Sequence, residues 1–595
     1  MKTNYKYSDQ VAIWLKNLGY THCFFLSGGN IMHAQESFRT KFECIPVVHE
    51  VAAGIATEYF NATSLNKKAF ALVTAGPGIT NIITAIGGAF LESRELLVIG
   101  GQVKREDLSN LEVRQRGIQE IDGVQIAKPI TNKSVRLDYP IKFEEFRKII
   151  ETSSTQRKGP VFIEMPLDIQ GYPLDQLKDK KISIKKNIMT KLEKSKFLNN
   201  SKLIVNMINK ASRPSILIGA GVQRDTAIRL RKKLTNLGIP IMLTWNASDR
   251  MDSGSKNYFG RPNTWGQRYS NIIIQQSDML LALGTRLGLQ QTGFNWKEFL
   301  KKGKIIHVDI DKKELNKKHP KTSLKINCDA NQLLENILKL KINKKNNWLQ
   351  YCKEIKNHFP LVEKNNYTGK GFISPYDFYY KISKIAKKSD VVIPCSSGGA
   401  FTTFNQTFEQ KLGQKIINNK ALASMGYGLS GAIGAAFANS GKKIIHFEGD
   451  GGFTQNLQEY GTVAINKLNI KTFLFCDDGY ASIRMTQKNY FKGAYMGCDI
   501  KTKLGIPNWE ILFKSWGIKS IKLKKNFINS NNFLKAFNSI GPNIFIVPID
   551  PLQTYFPKIT SRVTKEGSME SNPIHNMSPE ISADQKIKFL KYIKD

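Results

Sequence analysis

The chain has 595 residues, 88 Lys and Arg against 49 Asp and Glu, a net charge of +39 and 41% hydrophobic residues. At roughly 100–200 residues per domain this length implies three or four domains, and the apolar content excludes a largely disordered chain. The excess of Lys is scattered among Asn and Ile, without a zinc-finger spacing or a basic stripe with interleaved aromatics, so it reads as general surface charge and not as a nucleic-acid site. The seven Cys include no CxxC pair and the eight His no HxxxH or HExxH cluster, which argues against a disulfide scaffold or a zinc site. No apolar run reaches the about 18 residues needed to cross a bilayer, and the N-terminal stretch lacks the apolar core of a signal peptide. The expectation is a cytoplasmic protein with neither membrane nor nucleic acid as a partner.

Along the chain, three regions repeat one grammar of short apolar strands, Gly-rich turns and helical patterns, the signature of α/β domains with parallel sheets. The first, over 1–175, has strands predicted at 23–26, 69–74, 96–100 and 161–165. A Lys-rich stretch at 178–202 reads as a linker. The second region, over 190–345, has strands at 215–219, 240–244, 279–284 and 304–311, and another basic stretch at 331–370 reads as a second linker. The third, over 370–560, has strands at 391–394, 443–447, 470–476 and 543–549. The polar tail, 561–595 with the few residues before it, is expected to be a mobile lid or a frayed end.

Chemistry concentrates in the third region. Gly449-Asp450-Gly451-Gly452 ends a strand, and Asp477, 27 positions on, ends the next, followed by Asp478-Gly479-Tyr480. In a parallel sheet such strand ends are neighbours and face ligands. Two oxygen ligands there suit a hard octahedral cation whose shell is completed by phosphates.

These residues resemble the diphosphate motif of the thiamine diphosphate (ThDP) enzymes, and the similarity to their acetolactate synthase branch runs through nearly the whole chain. The resemblance implies three doubly wound parallel-sheet α/β domains: pyrimidine-binding, central FAD-binding-like and diphosphate-binding. It implies Mg²⁺ held by Asp450 and Asp477 side chains and the Gly479 carbonyl. Cys476-Asp477 stands where the family has Asn-Asn; the Asp keeps an oxygen ligand but adds a negative charge beside a diphosphate.

In the first region, His49-Glu50-Val51-Ala52-Ala53-Gly54 matches the family's catalytic Glu, which hydrogen-bonds the aminopyrimidine and promotes its reactive tautomer. Taken alone, Glu50 is an ordinary helix N-terminal acid; Ser27-Gly28-Gly29 before it and Gly76-Pro77-Gly78-Ile79-Thr80-Asn81 after it favour the catalytic role, with Gly28, Gly29, Pro77 and Asn81 at the cofactor. Gly117-Ile118-Gln119-Glu120 resembles a segment whose Gln reaches the reacting centre, making Gln119 a second catalytic candidate. Ser424-Met425-Gly426-Tyr427-Gly428 resembles the stretch whose apolar side chain wedges between the cofactor rings, so Met425 is either that wedge or a core Met. Gly398 and Gly399 fall near the diphosphate.

In the central region Gly219-Ala220-Gly221, Gly284-Thr285-Arg286 and His307-Val308-Asp309 are similar to the family's FAD-binding domain, where the flavin is mainly structural; Gly219, Gly221, Gly284, Arg286 and Asp309 would meet it. The chain departs from the family on the acceptor side. Gln290 stands where an Arg grips the acceptor's carboxylate, Thr486 near the place of a channel Trp, and Gly399-Ala400 for a Gln-His pair. A neutral amide cannot replace a bidentate Arg–carboxylate pair. The expected reaction is therefore cleavage of a 2-keto acid, pyruvate by resemblance, with transfer of the two-carbon unit to a carbonyl acceptor, including a nucleotide-linked keto-sugar. Arg484 is expected either to meet a phosphate of that acceptor or to lie on a helix surface. The alternatives are an authentic acetolactate synthase and a 2-keto acid decarboxylase. A homodimer or homotetramer is implied.

Overall fold

The computed structural model describes residues 5–177 and 191–593. They fall into two compact units. The first joins the N-terminal region to Asp390–Gly398 and Ile417–Val547; the second joins the central region up to Ser389 to Gly399–Ile416 and the chain from Pro548.

Alternation of apolar side chains builds the N-terminal sheet. Its strands are β1 (Tyr20–Phe25), β2 (Glu43–Pro46), β3 (Lys68–Val73), β4 (Leu96–Gln102), β5 (Lys133–Arg136) and β6 (Pro160–Pro166), in the order β2-β1-β3-β4-β6-β5, all parallel. Ala69, Ala71 and Val73 of β3 enter one core, while Phe70 and Leu72 enter the other. This period of two means both faces are covered, as parallel sheets require. The chain lays β2 on one side of β1 and then β3 on the other, which opens a crevice at the carboxyl ends of β1 and β3.

The central sheet follows the same rule. β7 (Pro214–Ile218), β8 (Ile241–Leu243), β9 (Met279–Leu283), β10 (Lys304–Asp309) and β11 (Leu324–Asn327) run in the order β8-β7-β9-β10-β11, all parallel. Ile216 and Ile218 face one core and Leu217 the other. In the C-terminal sheet β12 (Val391–Pro394), β13 (Ile444–Gly449), β14 (Ile470–Cys476), β15 (Ser520–Lys522) and β16 (Asn543–Pro548) run in the order β12-β13-β14-β16-β15. Phe473 stacks between Phe447 and Phe545 on one of its faces.

The N- and C-terminal sheets share one core through α1 (Glu50–Thr63), which packs on α2 (Pro77–Glu92) and on α3 (Tyr427–Ala438). Small residues make the second contact possible. A Cβ on Gly434 would lie 1.9 Å from the Ala56 carbonyl oxygen, and one on Gly431 would strike the Tyr59 ring. Buried polar groups cross the same interface: Arg94, paired with Glu58 at 2.6 Å, donates to the Asn418 carbonyl at 2.6 Å, and Tyr427 donates its hydroxyl to Glu58.

Three expectations change. The 331–370 stretch is not a linker: it holds the helices Ala330–Ile337 and Asn346–His358. Trp348, Tyr351, Cys352 and Ile355 recur at helical spacing and are buried, leaving the basic residues outside. The 178–202 stretch lies outside the described residues as far as 190 and is helical from Lys191 to Lys210. The tail is neither lid nor frayed end. Ile559, Ile574, Met577 and Phe589 enter the core beside Leu217 and Tyr351, and the side chains of Asn271 and Gln276 donate to the carbonyls of Ile574 and Phe589. Among the described residues no helix is long and apolar enough to cross a membrane.

Candidate active site

Four loops meet at the carboxyl edge of the N-terminal sheet. The turn after β1 carries Gly28, whose Cβ would lie 2.4 Å from that of Thr74, just after β3. Gly101 at the end of β4 is as close to the Asn30 carbonyl, and Asn30 Nδ2 donates to the Ile118 carbonyl at 3.3 Å. Gly76, at φ +61°, lies under Gln119, itself at φ +63°. Glu120 fixes this last loop by accepting from the backbones of Ser109, Arg116 and Gly117 and from the Ser109 hydroxyl, which hold its pKa down at about 2 against the effect of burial. Glu120 had no role assigned from sequence, where its one signal was its place after Gln119.

Glu50 is the first residue of α1 and is 5% exposed. His49 caps the helix by accepting from the Val51 N–H. Pro77 starts α2 at its first position, and one turn on Asn81 Nδ2 donates to Glu50 Oε2 at 3.0 Å. The peptides just before Glu50 are held too: Glu459 Oε1 accepts from Val48 N and His49 N at 3.0 and 2.9 Å. Glu459 is fully buried, and burial raises its pKa. It went unnoticed in the sequence because its partners lie some four hundred positions away.

At the edge of the C-terminal sheet, β13 and β14 are parallel neighbours with Gly449 opposite Phe475. The residues that leave these strands, Asp450 and Asp477, are thereby placed side by side and are 1% and 8% exposed. Asp450 Oδ1 accepts from Gly451 N at 2.7 Å and Gly479 N at 3.2 Å. Burial nonetheless pushes the Asp450 pKa up to about 7, and burial together with the Asp450 charge raises that of Asp477. Asp477 Oδ1 is buried with no hydrogen-bond partner. Two carboxylates forced together out of water, one with an orphaned oxygen, are the donor set a divalent cation relieves. Gly451 packs on Gly479 and Tyr480, its Cβ position 2.7 Å from the Gly479 oxygen, so that carbonyl faces the same turn. Gly449 has open space at its Cβ position, and a Cβ on Gly452 would meet only Glu448. Among the described residues no third acidic, His or Cys side chain joins the pair, so an octahedral ion held here completes its shell with carbonyl, water or phosphate oxygens.

Residues 5–126 match the family described as thiamine pyrophosphate enzyme, N-terminal TPP binding domain; 202–337 match its central domain and 397–546 its C-terminal TPP binding domain. The chain belongs to the thiamine pyrophosphate enzymes. Among curated relatives it is 27% identical to acetolactate synthase isozyme 1 large subunit of Escherichia coli (strain K12), over 90% of this chain and 92% of that one. It is 27% identical to a probable acetolactate synthase large subunit of Methanococcus aeolicus, over 84% and 85%, and 25% identical to acetolactate synthase 1, chloroplastic, of Zea mays, over 93% and 87%.

This thiamine pyrophosphate enzyme is of the acetolactate synthase type, and its buried acid pair and open glycine turns fit the cofactor and Mg²⁺. Met425 is 38% exposed on the turn before α3, which sets aside the core reading. Gly398, at φ +73°, begins the helix Gly398–Thr407 that follows β12, and Gly399 lacks room for a side chain because its Cβ position is 2.2 Å from the Tyr555 ring. Gln290 is exposed on the short helix Leu289–Thr292, and Thr486 spends its hydroxyl on the Ser482 carbonyl.

One expectation needs revising. Arg484 is neither a phosphate grip nor a surface side chain: it is 5% exposed and donates to the carbonyls of Asp477 and Asp478. In the central domain, Gly219 and Gly221 pack on Gly284, with Cβ positions 2.2 and 3.0 Å from its carbonyl oxygen. Loop-on-loop packing leaves no room for a Cβ at these glycines. Asp309 Oδ1 accepts from Asp311 N, and the Arg286 carbonyl accepts from Lys317.

Proposed function

We propose that the protein cleaves pyruvate and transfers the two-carbon unit to a carbonyl acceptor that is not a free 2-keto acid. The donor half of the reading rests on one observation above the others: Asp450 and Asp477 are buried against each other at adjacent strand ends, with an Asp477 oxygen left unpartnered. The acceptor half rests on Gln290, which offers an amide where a keto acid's carboxylate needs a guanidinium. With Arg484 buried, the feature that pointed to a phosphate-bearing acceptor is gone, and a nucleotide-linked keto-sugar becomes one candidate among several carbonyl compounds.

When bound, ThDP supplies the carbanion-stabilising chemistry that lets a 2-keto acid lose carbon dioxide. The chain's own part is placement and proton handling. Asp450, Asp477 and the Gly479 carbonyl would hold the metal that anchors the diphosphate. Glu50, oriented by Asn81, would share a proton with the pyrimidine ring nitrogen. Met425 would support the rings, and Gln119 would serve the reacting end. Holding donor and acceptor together lowers the entropic cost of joining them. We place one cofactor between Glu50 of one subunit and Asp450 of the partner subunit, in a homodimer at least.

Mass spectrometry of products tests this, with pyruvate alone and with a panel of 2-keto acids, aldehydes and nucleotide-linked keto-sugars. The proposal expects slow acetolactate formation from pyruvate alone and a faster cross-product with one panel member. Rapid acetolactate formation would identify a true acetolactate synthase; free acetaldehyde as sole product would identify a decarboxylase.

A further inference from the structure

The loop that carries the second metal ligand is held from behind. Arg484 lies on α4 (Ala481–Tyr490), immediately after that loop. Its Nη1 donates to the Asp477 carbonyl at 3.0 Å and its Nη2 to the Asp478 carbonyl at 3.2 Å, while Nε lies 3.3 Å from Asp499 Oδ2. Asp499 is fixed in turn: its Oδ1 accepts from the Thr502 backbone and hydroxyl, both at 2.9 Å. The chain around it brackets the loop, with Tyr480 N donating to the Cys498 carbonyl at 2.8 Å and Gly479 bridged to Asp499.

The loop needs such support. Asp478 sits at φ +64°, in the left-handed region that favours glycine, and Gly479 follows at φ +125°. Of its three carbonyls, Arg484 engages those of Asp477 and Asp478, while that of Gly479 faces Gly451 in the turn that bears Asp450. The guanidinium also sets a positive charge beside an Asp477–Asp450 pair that carries one more carboxylate than the Asn usual at this place. A planar fork presents donors at separate, fixed points that match two carbonyls and a carboxylate at once; an ammonium presents its donors from a single atom.

We propose that Arg484, braced by Asp499, is a positioning residue for the metal: it fixes which oxygens of the Asp477–Gly479 loop are offered to the ion. The inference rests on the thiamine reading of the site. Partners of this kind behind metal ligands contribute about 10–100-fold in affinity.

The test is Mn²⁺ affinity, read by electron paramagnetic resonance on the full chain at saturating ThDP, for the wild type, Arg484→Lys and Asp499→Asn. The expected result is a rise in the Mn²⁺ dissociation constant of about 10–100-fold for R484K and a smaller rise for D499N. Cofactor-free R484K should still fold, with a melting temperature lowered by the lost carbonyl bonds, and pyruvate turnover should recover when the metal is raised to saturation. Wild-type affinity in folded R484K would overturn the proposal. Should R484K fail to fold, D499N decides: it leaves the guanidinium in place and removes the charge behind it, so wild-type affinity there overturns the proposal as well. A wild type that binds no Mn²⁺ with ThDP would instead overturn the functional reading, and this inference with it.

Discussion

Replacing Asp450 with Asn should make the cofactor-free protein more stable at pH 8 while abolishing metal binding. Burial raises the Asp450 pKa from its ordinary 3.8 to about 7. The folded form therefore binds this proton more tightly than the unfolded chain, and between those two values stability falls as pH rises. Each unit of pKa is about 1.4 kcal/mol, so the fully ionised side chain costs the folded protein on the order of 4 kcal/mol above pH 7. Asn has nearly the same shape, keeps an oxygen to accept from Gly451 N and Gly479 N, and carries no charge to repel Asp477. The assay is thermal denaturation of wild type and D450N in a chelating buffer at pH 5.5 and pH 8. D450N should melt several degrees higher at pH 8, the gap should shrink at pH 5.5, and Mg²⁺ with ThDP should raise the melting temperature of the wild type alone. A D450N protein no more stable than wild type at pH 8 would refute the reasoning, because the ionised Asp450 would then not be a cost that the metal offsets.

Two further predictions follow from the packing around α1. Glu50→Gln keeps an acceptor for Asn81 Nδ2 but cannot exchange a proton with the pyrimidine, so deuterium exchange at C2 of bound ThDP should slow by about 10²–10⁴-fold while ThDP affinity changes little; wild-type exchange would remove Glu50 from the mechanism. Gly434→Ala places a methyl against the Ala56 carbonyl and should destabilise the first unit by about 1–3 kcal/mol in urea denaturation, whereas Gly505→Ala, with open space at its Cβ position, should be close to neutral.

Much of this architecture was legible in the sequence because buried parallel strands are short, continuous apolar runs. Ile470–Cys476 and Val391–Pro394 fall where their Ile, Val and Phe predict. The edge strands Lys133–Arg136, Leu324–Asn327 and Ser520–Lys522 were missed because they are short and polar on one face. The helix Asn346–His358 hid behind its Lys content, although Trp348, Tyr351, Cys352 and Ile355 carry a helical period. At the site, spacing alone set Asp450 beside Asp477. Spacing could not say that Arg484 turns inward, since a single Arg on a helix has the same local pattern whether it is buried or exposed. Nor could it show that Gly219, Gly221 and Gly284 serve one another, which is a contact between loops more than sixty positions apart.

The most direct measurement is calorimetric titration of the full-length protein with ThDP, with and without Mg²⁺, followed by addition of pyruvate labelled at its carboxyl carbon. One ThDP should bind per chain, binding should depend on the metal, and labelled carbon dioxide should be released only from the loaded protein. Binding that ignores Mg²⁺, or a loaded protein that leaves pyruvate intact, would show that the acid pair and Glu50 do not serve this chemistry.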